Sequence, residues 1–247
     1  MKIVCISDTH KRHEEITVPE GDMLVFAGDG DWRSTASLNP FLDWFEGQPH
    51  KYKIMISGNH DFIFQEAGEA KRHSLLQNIY DREILYLEDS GMEVGGFNIW
   101  GSPYTPEFGN WAFNKKRGNR ISKVWDKIPD NTDILITHGP PMYTLDLCGG
   151  DAIGCYDLAK AIDRVNPKLH IFGHIHNQQG IVEKDGTIFI NASMVNEYYQ
   201  PEYEAKVVDI QSPIGHTGLT GCTGPTGIVG GKLDFVGNHK EKDEIQT

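Results

Sequence analysis

Five short clusters of side chains that could do chemistry punctuate the chain. They are Asp8-Thr9-His10, Gly28-Asp29, Gly58-Asn59-His60-Asp61, His138-Gly139 and Gly173-His174-Ile175-His176. Asp8, His10, Asp29, Asn59, His138, His174 and His176 together offer two carboxylates, one amide oxygen and four imidazoles. Mixed oxygen and nitrogen donors suit Mn, Fe, Zn or Co, whereas Ca prefers an all-oxygen cage. The set holds no thiolate, which argues against a structural zinc site. It is also too large for one tetrahedral ion. It suits two ions sharing a bridging carboxylate, a pairing that stabilises both the attacking and the leaving oxygen of a displacement at phosphorus. The expected cofactor is therefore two divalent metal ions, Mn²⁺ first, with Fe, Zn, Co or Mg as alternatives. Taken singly, each cluster has a plainer reading: a strand-end cap at Asp8-Thr9-His10, an Asn-rich turn at Gly58-Asn59-His60. Alternation in Gly173-His174-Ile175-His176 is expected to put both imidazoles on one strand-side face. Their joint occurrence, each after an apolar run, carries the metal reading.

Those runs are the elements that must position the clusters. Lys2–Ser7, Met23–Ala27, Lys53–Ser57, Ile84–Leu87, Phe97–Trp100, Ile134–Thr137 and Leu169–Phe172 are rich in Val, Ile, Leu and aromatics and read as strands. Several are nearly continuous apolar runs, as expected of strands covered on both faces. Helix-like stretches fall over Leu38–Glu46, Glu66–Asn78, Arg120–Lys127 and Tyr156–Val165. Later strands over Gly180–Val182, Thr187–Asn191 and Ala205–Ile210 have no helix between them, and Glu183-Lys184-Asp185-Gly186 reads as a hairpin turn. The expected fold is α/β: a four-layer α/β/β/α sandwich of two mixed sheets flanked by helices. In such sheets the carboxyl ends of parallel strands open onto one crevice, where the five clusters would converge.

The ordered set D-x-H, G-D, G-N-H-D, H and G-H-x-H resembles the calcineurin-like metallophosphoesterase superfamily, over about residues 1–210. The resemblance implies that Asp8, His10, Asp29 and His176 hold one metal. Asp29 would bridge to a second, completed by Asn59, His138 and His174. It implies that His60 lies by the substrate and protonates the leaving oxygen, with Asp61 as its support. The segments Gly101-Ser102-Pro103-Tyr104, Trp111-Ala112-Phe113-Asn114, Thr137-His138-Gly139-Pro140-Pro141 and Pro167 to His176 are similar to the metallophosphoesterase-domain-containing (brain 239-type) phosphodiesterases. Some members of that group carry glycine for one G-H-x-H histidine, which weakens metal binding; this chain keeps both. Gly30-Asp31-Trp32-Arg33 departs from the family's usual apolar-Thr continuation.

The resemblance implies a phosphodiesterase acting on small diesters such as cyclic nucleotides, by in-line attack of a hydroxide bridging the two metals. A phosphomonoesterase or protein phosphatase, a nuclease of the same superfamily, and a metal-binding scaffold without turnover are the alternatives. The protein phosphatase continuation G-D-x-x-D-R-G is not matched. The net charge of −12 disfavours long nucleic acid, which wants a basic face. The expected partner is a small phosphate ester, with oligomeric state open. No apolar run approaches the roughly 18 residues of a membrane span. Scattered cysteines without a C-x-x-C pair and an N-terminus that opens on a strand point to the cytoplasm. Arg33 is a candidate for bidentate contact with a phosphate oxygen, or else a surface ion pair. Trp111 and Phe113 either line the substrate mouth or pack a loop. His13, His50, His73, His216 and His239 are expected to be exposed, His170 to be a packing residue, and Cys148 and Cys155 to be buried thiols or loop residues. Residues 211–247, with a glycine at every third position from Gly215 to Gly230, read as a flexible collagen-like tail.

Overall fold

The structure, a computed structural model, describes residues 1–211. Apart from Gln211, the tail, with His216 and His239, lies outside the described residues. In chain order, β1 (Lys2–Ile6) and β2 (Met23–Phe26) precede α1 (Thr35–Glu46), then β3 (Tyr52–Met55), α2 (Phe62–Glu66), α3 (Glu69–Tyr80) and β4 (Ile84–Tyr86). β5 (Ser90–Val94), β6 (Phe97–Ser102) and the short β7 (Thr105–Pro106) and β8 (Asn114–Lys115) follow. Next come α4 (Asn119–Trp125), β9 (Ile134–Thr137), β10 (Leu147–Cys148), β11 (Asp151–Ala152) and α5 (Tyr156–Val165). β12 (Leu169–Phe172), β13 (Gly180–Lys184), β14 (Thr187–Asn191) and β15 (Lys206–Asp209) close the series.

The first sheet has the order β15-β1-β2-β3-β4, parallel except for β15. The second has the order β13-β14-β12-β9-β6-β5, parallel in its four central strands and antiparallel at both edges. Strand periodicity divides their side chains between three apolar layers. Ile3 and Cys5 of β1, Met23 and Val25 of β2, Ile134 and Ile136 of β9, and Leu169 and Ile171 of β12 meet between the sheets. Val4, Ile6, Leu24 and Phe26 face Phe41, Phe45, Leu75 and Ile79 of α1 and α3. Leu135, Phe172 and Phe189 face Val124, Trp125, Leu158 and Ile162 of α4 and α5. The result is the four-layer α/β/β/α sandwich. Each fully buried Ile, Leu or Phe contributes roughly 1.5–3 kcal/mol, so the middle layer joins the two sheets firmly.

Where sequence and structure differ, the reasons are local. The helix expected over 66–78 is two helices, because Gly68 takes an extended conformation (ψ 164°) and caps α3. β5 escapes a search for apolar runs because it is an edge strand with the alternating sequence Ser-Gly-Met-Glu-Val. The hairpin between β13 and β14 turns through Asp185 (φ 52°) and Gly186 (φ 85°), the left-handed pair that a two-residue turn requires. His13 and His50 are buried rather than exposed. His13 packs on Phe41 and Trp44, and His50 Nε2 bonds the Pro19 carbonyl. His73 is exposed. Cys148 is exposed and Cys155 buried, where its sulfur accepts the Trp125 indole N–H.

Candidate metal centre

The five clusters leave the carboxyl ends of β1, β2, β3, β9 and β12, three strands from one sheet and two from the other. Cross-sheet bonds lock these ends together. Ser7 pairs with Ser193 beyond β14. The His174 backbone N–H donates to both Asp8 carboxylate oxygens, at 3.1 and 3.0 Å. His138 Nδ1–H donates to the Ala27 carbonyl at 2.9 Å. To aim inward from strand ends, Asp8, His10, Asp29 and His174 all take left-handed backbone angles, φ 42° to 71°. Such strain in non-glycine residues clusters at functional sites. The motif glycines clear space. A Cβ on Gly58 would sit 2.3 Å from Asp29 Oδ1, and one on Gly173 would sit 2.1 Å from Asp8 Oδ2.

The ligand atoms fall into overlapping groups whose members lie within 4.8 Å of one another: Asp8, His10, His176; His10, Asp29, His60; and Asp29, His138, His174. Asp29 joins two of them, consistent with a bridging carboxylate. Asn59 belongs with the third group, its Oδ1 lying 2.9 Å from His138 Nε2. The imidazoles at 174 and 176 serve different groups. This corrects the expectation of a shared strand face: the chain leaves β12 at Phe172, turns left-handed at His174 (φ 71°) and enters a 3-10 turn at His176–Gln178.

Asp8 and Asp29 are fully buried, and among the described residues the only cationic groups within ion-pair distance of them are imidazoles. Burial alone would raise the Asp29 carboxyl, but His138, His60 and His10 outweigh it and hold the group well below the usual carboxylate range. Asp8 is lowered likewise, with His176 overcoming burial. Burial works against a charge on His138, yet Asp29 and Asp8 push it up to about 9. His174 is driven down to about 4 by burial and by His138, leaving a neutral ring. Meanwhile His10 Nε2 and His176 Nε2 face each other at 3.3 Å. A site that packs two buried carboxylates and crowds imidazole nitrogens against each other demands positive charge at its centre, and the donor set fits divalent cations. Backbone carbonyls select the tautomer: Ala27 holds Nδ1 of His138 and Asn196 holds Nδ1 of His176 (3.1 Å), so in the neutral, cation-binding form of each ring the Nε2 lone pair faces inward.

Asp61 is fully buried and touches no ligand atom directly. Its carboxylate accepts three backbone N–H groups, from Gly58 (2.8 Å), Asp29 (3.0 Å) and Trp32 (3.1 Å), tying the exits of β2 and β3 together. Asp29 Oδ1 in turn accepts the His60 N–H at 2.8 Å. Trp32 explains the unusual Gly30-Asp31-Trp32-Arg33 stretch, for its indole anchors the loop in the core between Phe26, Phe41 and Phe64. Arg33 stays outside. Its Nε lies 3.7 Å from Asp31, its guanidinium stacks on Phe62 at 4.4 Å, and its side chain is 57% exposed. The structure shows the surface-pair alternative for it and no contact with the ligands.

Trp111 and Phe113 part company. Phe113 is buried in the core against Tyr104. Trp111 stacks on His60, ring centroids 4.1 Å apart and planes at 27°. The Ala112 N–H bonded to the Asn59 carbonyl brings its loop there. His170 is buried, as expected of a packing residue, between Phe172 and Phe189. Two residues went unseen in the sequence. The Tyr199 ring stands over His10 (4.7 Å), His176 (5.2 Å) and His60 (6.3 Å). Asn196 builds the turn that carries it. Nothing in Asn196-Glu197-Tyr198-Tyr199-Gln200 distinguishes it from an ordinary polar loop.

Comparison with known proteins agrees with this geometry. The model of the calcineurin-like phosphoesterase family matches residues 1–178. Human metallophosphoesterase domain-containing protein 1 is 36% identical over 234 residues, covering 86% of this chain and 72% of that protein. UPF0046 protein K07C11.7 of Caenorhabditis elegans is 37% identical over 209 residues, covering 80% and 71%. Phosphopantetheinyl hydrolase from Mycobacterium tuberculosis shares the fold, with a TM-score of 0.57 at 16% identity, covering 84% of this chain and 95% of that one.

Proposed function

The chain belongs to the calcineurin-like phosphoesterase family, and on that premise we propose that it is a phosphodiesterase hydrolysing small diesters, cyclic nucleotides among them. The observation that carries the reading is the buried Asp8 and Asp29 pair, ringed by imidazoles and sharing Asp29 between ligand groups. Asp8, His10, Asp29 and His176 would hold one divalent cation, and Asp29, Asn59, His138 and His174 the other. Two such ions, Mn²⁺ on this reading, supply Lewis acidity to the phosphoryl oxygens and bring the pKa of water toward neutrality.

The protein's own groups do the rest. The left-handed turns at Asp8, Asp29 and His174 present their donors without conformational search, so the site is organised before substrate arrives. His60 is held by its N–H to Asp29 and by Trp111 stacked on its ring, and it stands at the rim with 15% of its side chain exposed. From there it donates a proton to the leaving oxygen. Arg33, held at the surface against Asp31 and Phe62, would have to leave that pair to meet a phosphoryl oxygen. The net charge of −12 supports a small substrate over long nucleic acid. Among the described residues no helix is long and apolar enough to cross a membrane.

Chelation followed by Mn²⁺ addition tests this. Hydrolysis of bis(p-nitrophenyl) phosphate is expected to vanish and return. Full turnover by metal-stripped protein would sink the mechanism. A clear preference for p-nitrophenyl phosphate would move the assignment to a phosphomonoesterase, and metal binding without turnover on any ester would leave a scaffold.

A further inference from the structure

Tyr199 occupies an expensive position. Its φ is 60°, left-handed for a bulky aromatic, which costs of order 1–3 kcal/mol unless the surroundings impose it. Asn196 imposes it. The Asn196 Oδ1 accepts N–H groups from Tyr198 (2.9 Å) and Gln200 (3.1 Å), while its Nδ2 donates to Glu202 (2.6 Å). The Asn196 carbonyl accepts the Tyr199 N–H at 2.9 Å, and the same oxygen holds Nδ1 of His176. One carbonyl thus hangs both a candidate metal ligand and the tyrosine. The ring meets His10 and His176 at 84° and 87°, so it stands as a wall beside them. It keeps 44% of its surface exposed, and its hydroxyl makes no hydrogen bond among the described residues. A core tyrosine would bury its ring and satisfy its hydroxyl. This one does neither, and a strained loop holds its open side at the mouth of the site.

We propose that Tyr199 is a specificity-determining residue whose ring stacks a planar group, a nucleobase or an aryl ring, carried by the phosphate ester bound at the centre. The inference rests on the phosphoesterase reading and names its substrate class: esters with a flat aromatic substituent over those with an alkyl one. Stacking of a base on an aromatic side chain is worth about 5- to 150-fold in affinity.

The test uses the Mn²⁺-loaded protein and two probes, adenosine 5′-monophosphate and inorganic phosphate, with Kd values from calorimetry. The wild type is expected to bind the nucleotide on the order of 10-fold tighter than phosphate. Tyr199→Phe is expected to keep that ratio. Tyr199→Asn and Tyr199→Gly, both at ease at positive φ, are expected to bring it close to one with metal content unchanged. An unchanged ratio in those two variants overturns the proposal, as does a wild type without preference. Loss of metal from both would show that Tyr199 only braces His176, and would overturn it too. A second arm compares kcat/KM for bis(p-nitrophenyl) phosphate and methyl p-nitrophenyl phosphate. A nucleotide preference that depends on Tyr199 in a protein that turns over neither ester would refute the phosphodiesterase reading and leave the stacking role standing. Turnover of both esters without Tyr199-dependent discrimination would do the reverse.

Discussion

Replacing Asp61 with asparagine tests whether its charge is matched to a cation-bearing site. In the structure Oδ2 of Asp61 accepts from Gly58 and Asp29, and Oδ1 accepts from Trp32. In Asp61→Asn, an amide oxygen placed at the Oδ2 position keeps two of these bonds and turns the NH₂ group toward the Trp32 N–H. One buried donor then lacks an acceptor, a loss of roughly 1–3 kcal/mol. A second effect has the opposite sign. Burial, and then the Asp29 carboxylate, push the Asp61 pKa up to about 7 despite its three donors. At Asp61 the folded chain without metal therefore binds more proton than the unfolded chain between about pH 4 and 7, and this group's contribution to stability falls as pH rises through that window. At pH 8 the metal-free wild type carries this penalty, and Asp61→Asn escapes it. Divalent cations beside Asp29 attract the Asp61 charge, offset both the burial penalty and the repulsion, and leave the lost hydrogen bond exposed. Urea unfolding at pH 8 is accordingly expected to show Asp61→Asn destabilised by about 1–3 kcal/mol with Mn²⁺, and by much less, or not at all, after chelation. Equal destabilisation in both states would refute the electrostatic part of the reasoning. No destabilisation in either would refute the hydrogen-bond part.

Two further variants separate ligation from proton transfer. Asn59→Ala is expected to lower metal occupancy, measured by elemental analysis, whereas His60→Ala is expected to keep both ions. It should lose about 10²–10⁴ in rate on a nucleotide diester and less on an ester with a p-nitrophenolate leaving group; metal loss from His60→Ala would instead make His60 a ligand, as its proximity to His10 and Asp29 permits. His170 supplies the pH test: burial takes its pKa down to about 3, so its neutral state supports the fold above pH 6.5 and that support is lost as pH falls toward 3. Between pH 6.5 and 4.5, wild type is expected to lose about 2 kcal/mol more than His170→Gln in urea unfolding, one pKa unit being worth about 1.4 kcal/mol; parallel curves would show that His170 does not carry the acid sensitivity.

The sandwich and the candidate metal-ligand clusters are legible because both leave strong local marks. Strands buried on two faces are runs of Ile, Val and Leu, and each ligand cluster follows such a run directly, with a glycine where another chain must pass close, as at Gly58 and Gly173. What the sequence hid depends on tertiary packing. His13 and His50 sit among polar neighbours in the chain, but folding covers them. The resemblance gives Asp61 as support for its neighbour His60, and only the fold shows it reaching back to the backbone of Asp29 and Trp32. Tyr199 lies in a loop of no distinctive composition, and its place over His10 and His176 follows from the Asn196 turn and from β14 running parallel to β12. Arg33 reads as either a phosphate contact or a surface ion pair, and only the fold shows Trp32 taking the inward position and leaving the guanidinium at the surface on Phe62.

Because the candidate ligands come from the strand ends of both sheets, bound ions would act as a rivet through the seam between them. Neither sheet alone holds a complete donor set, so any excursion that parts the sheets releases metal, and bound metal raises the free energy of that excursion by about 2.7 kcal/mol at a hundredfold excess over Kd. Weakening the apolar layer at Ile171 or Ile136, well inside the middle layer, is a way to loosen the catalyst without touching it.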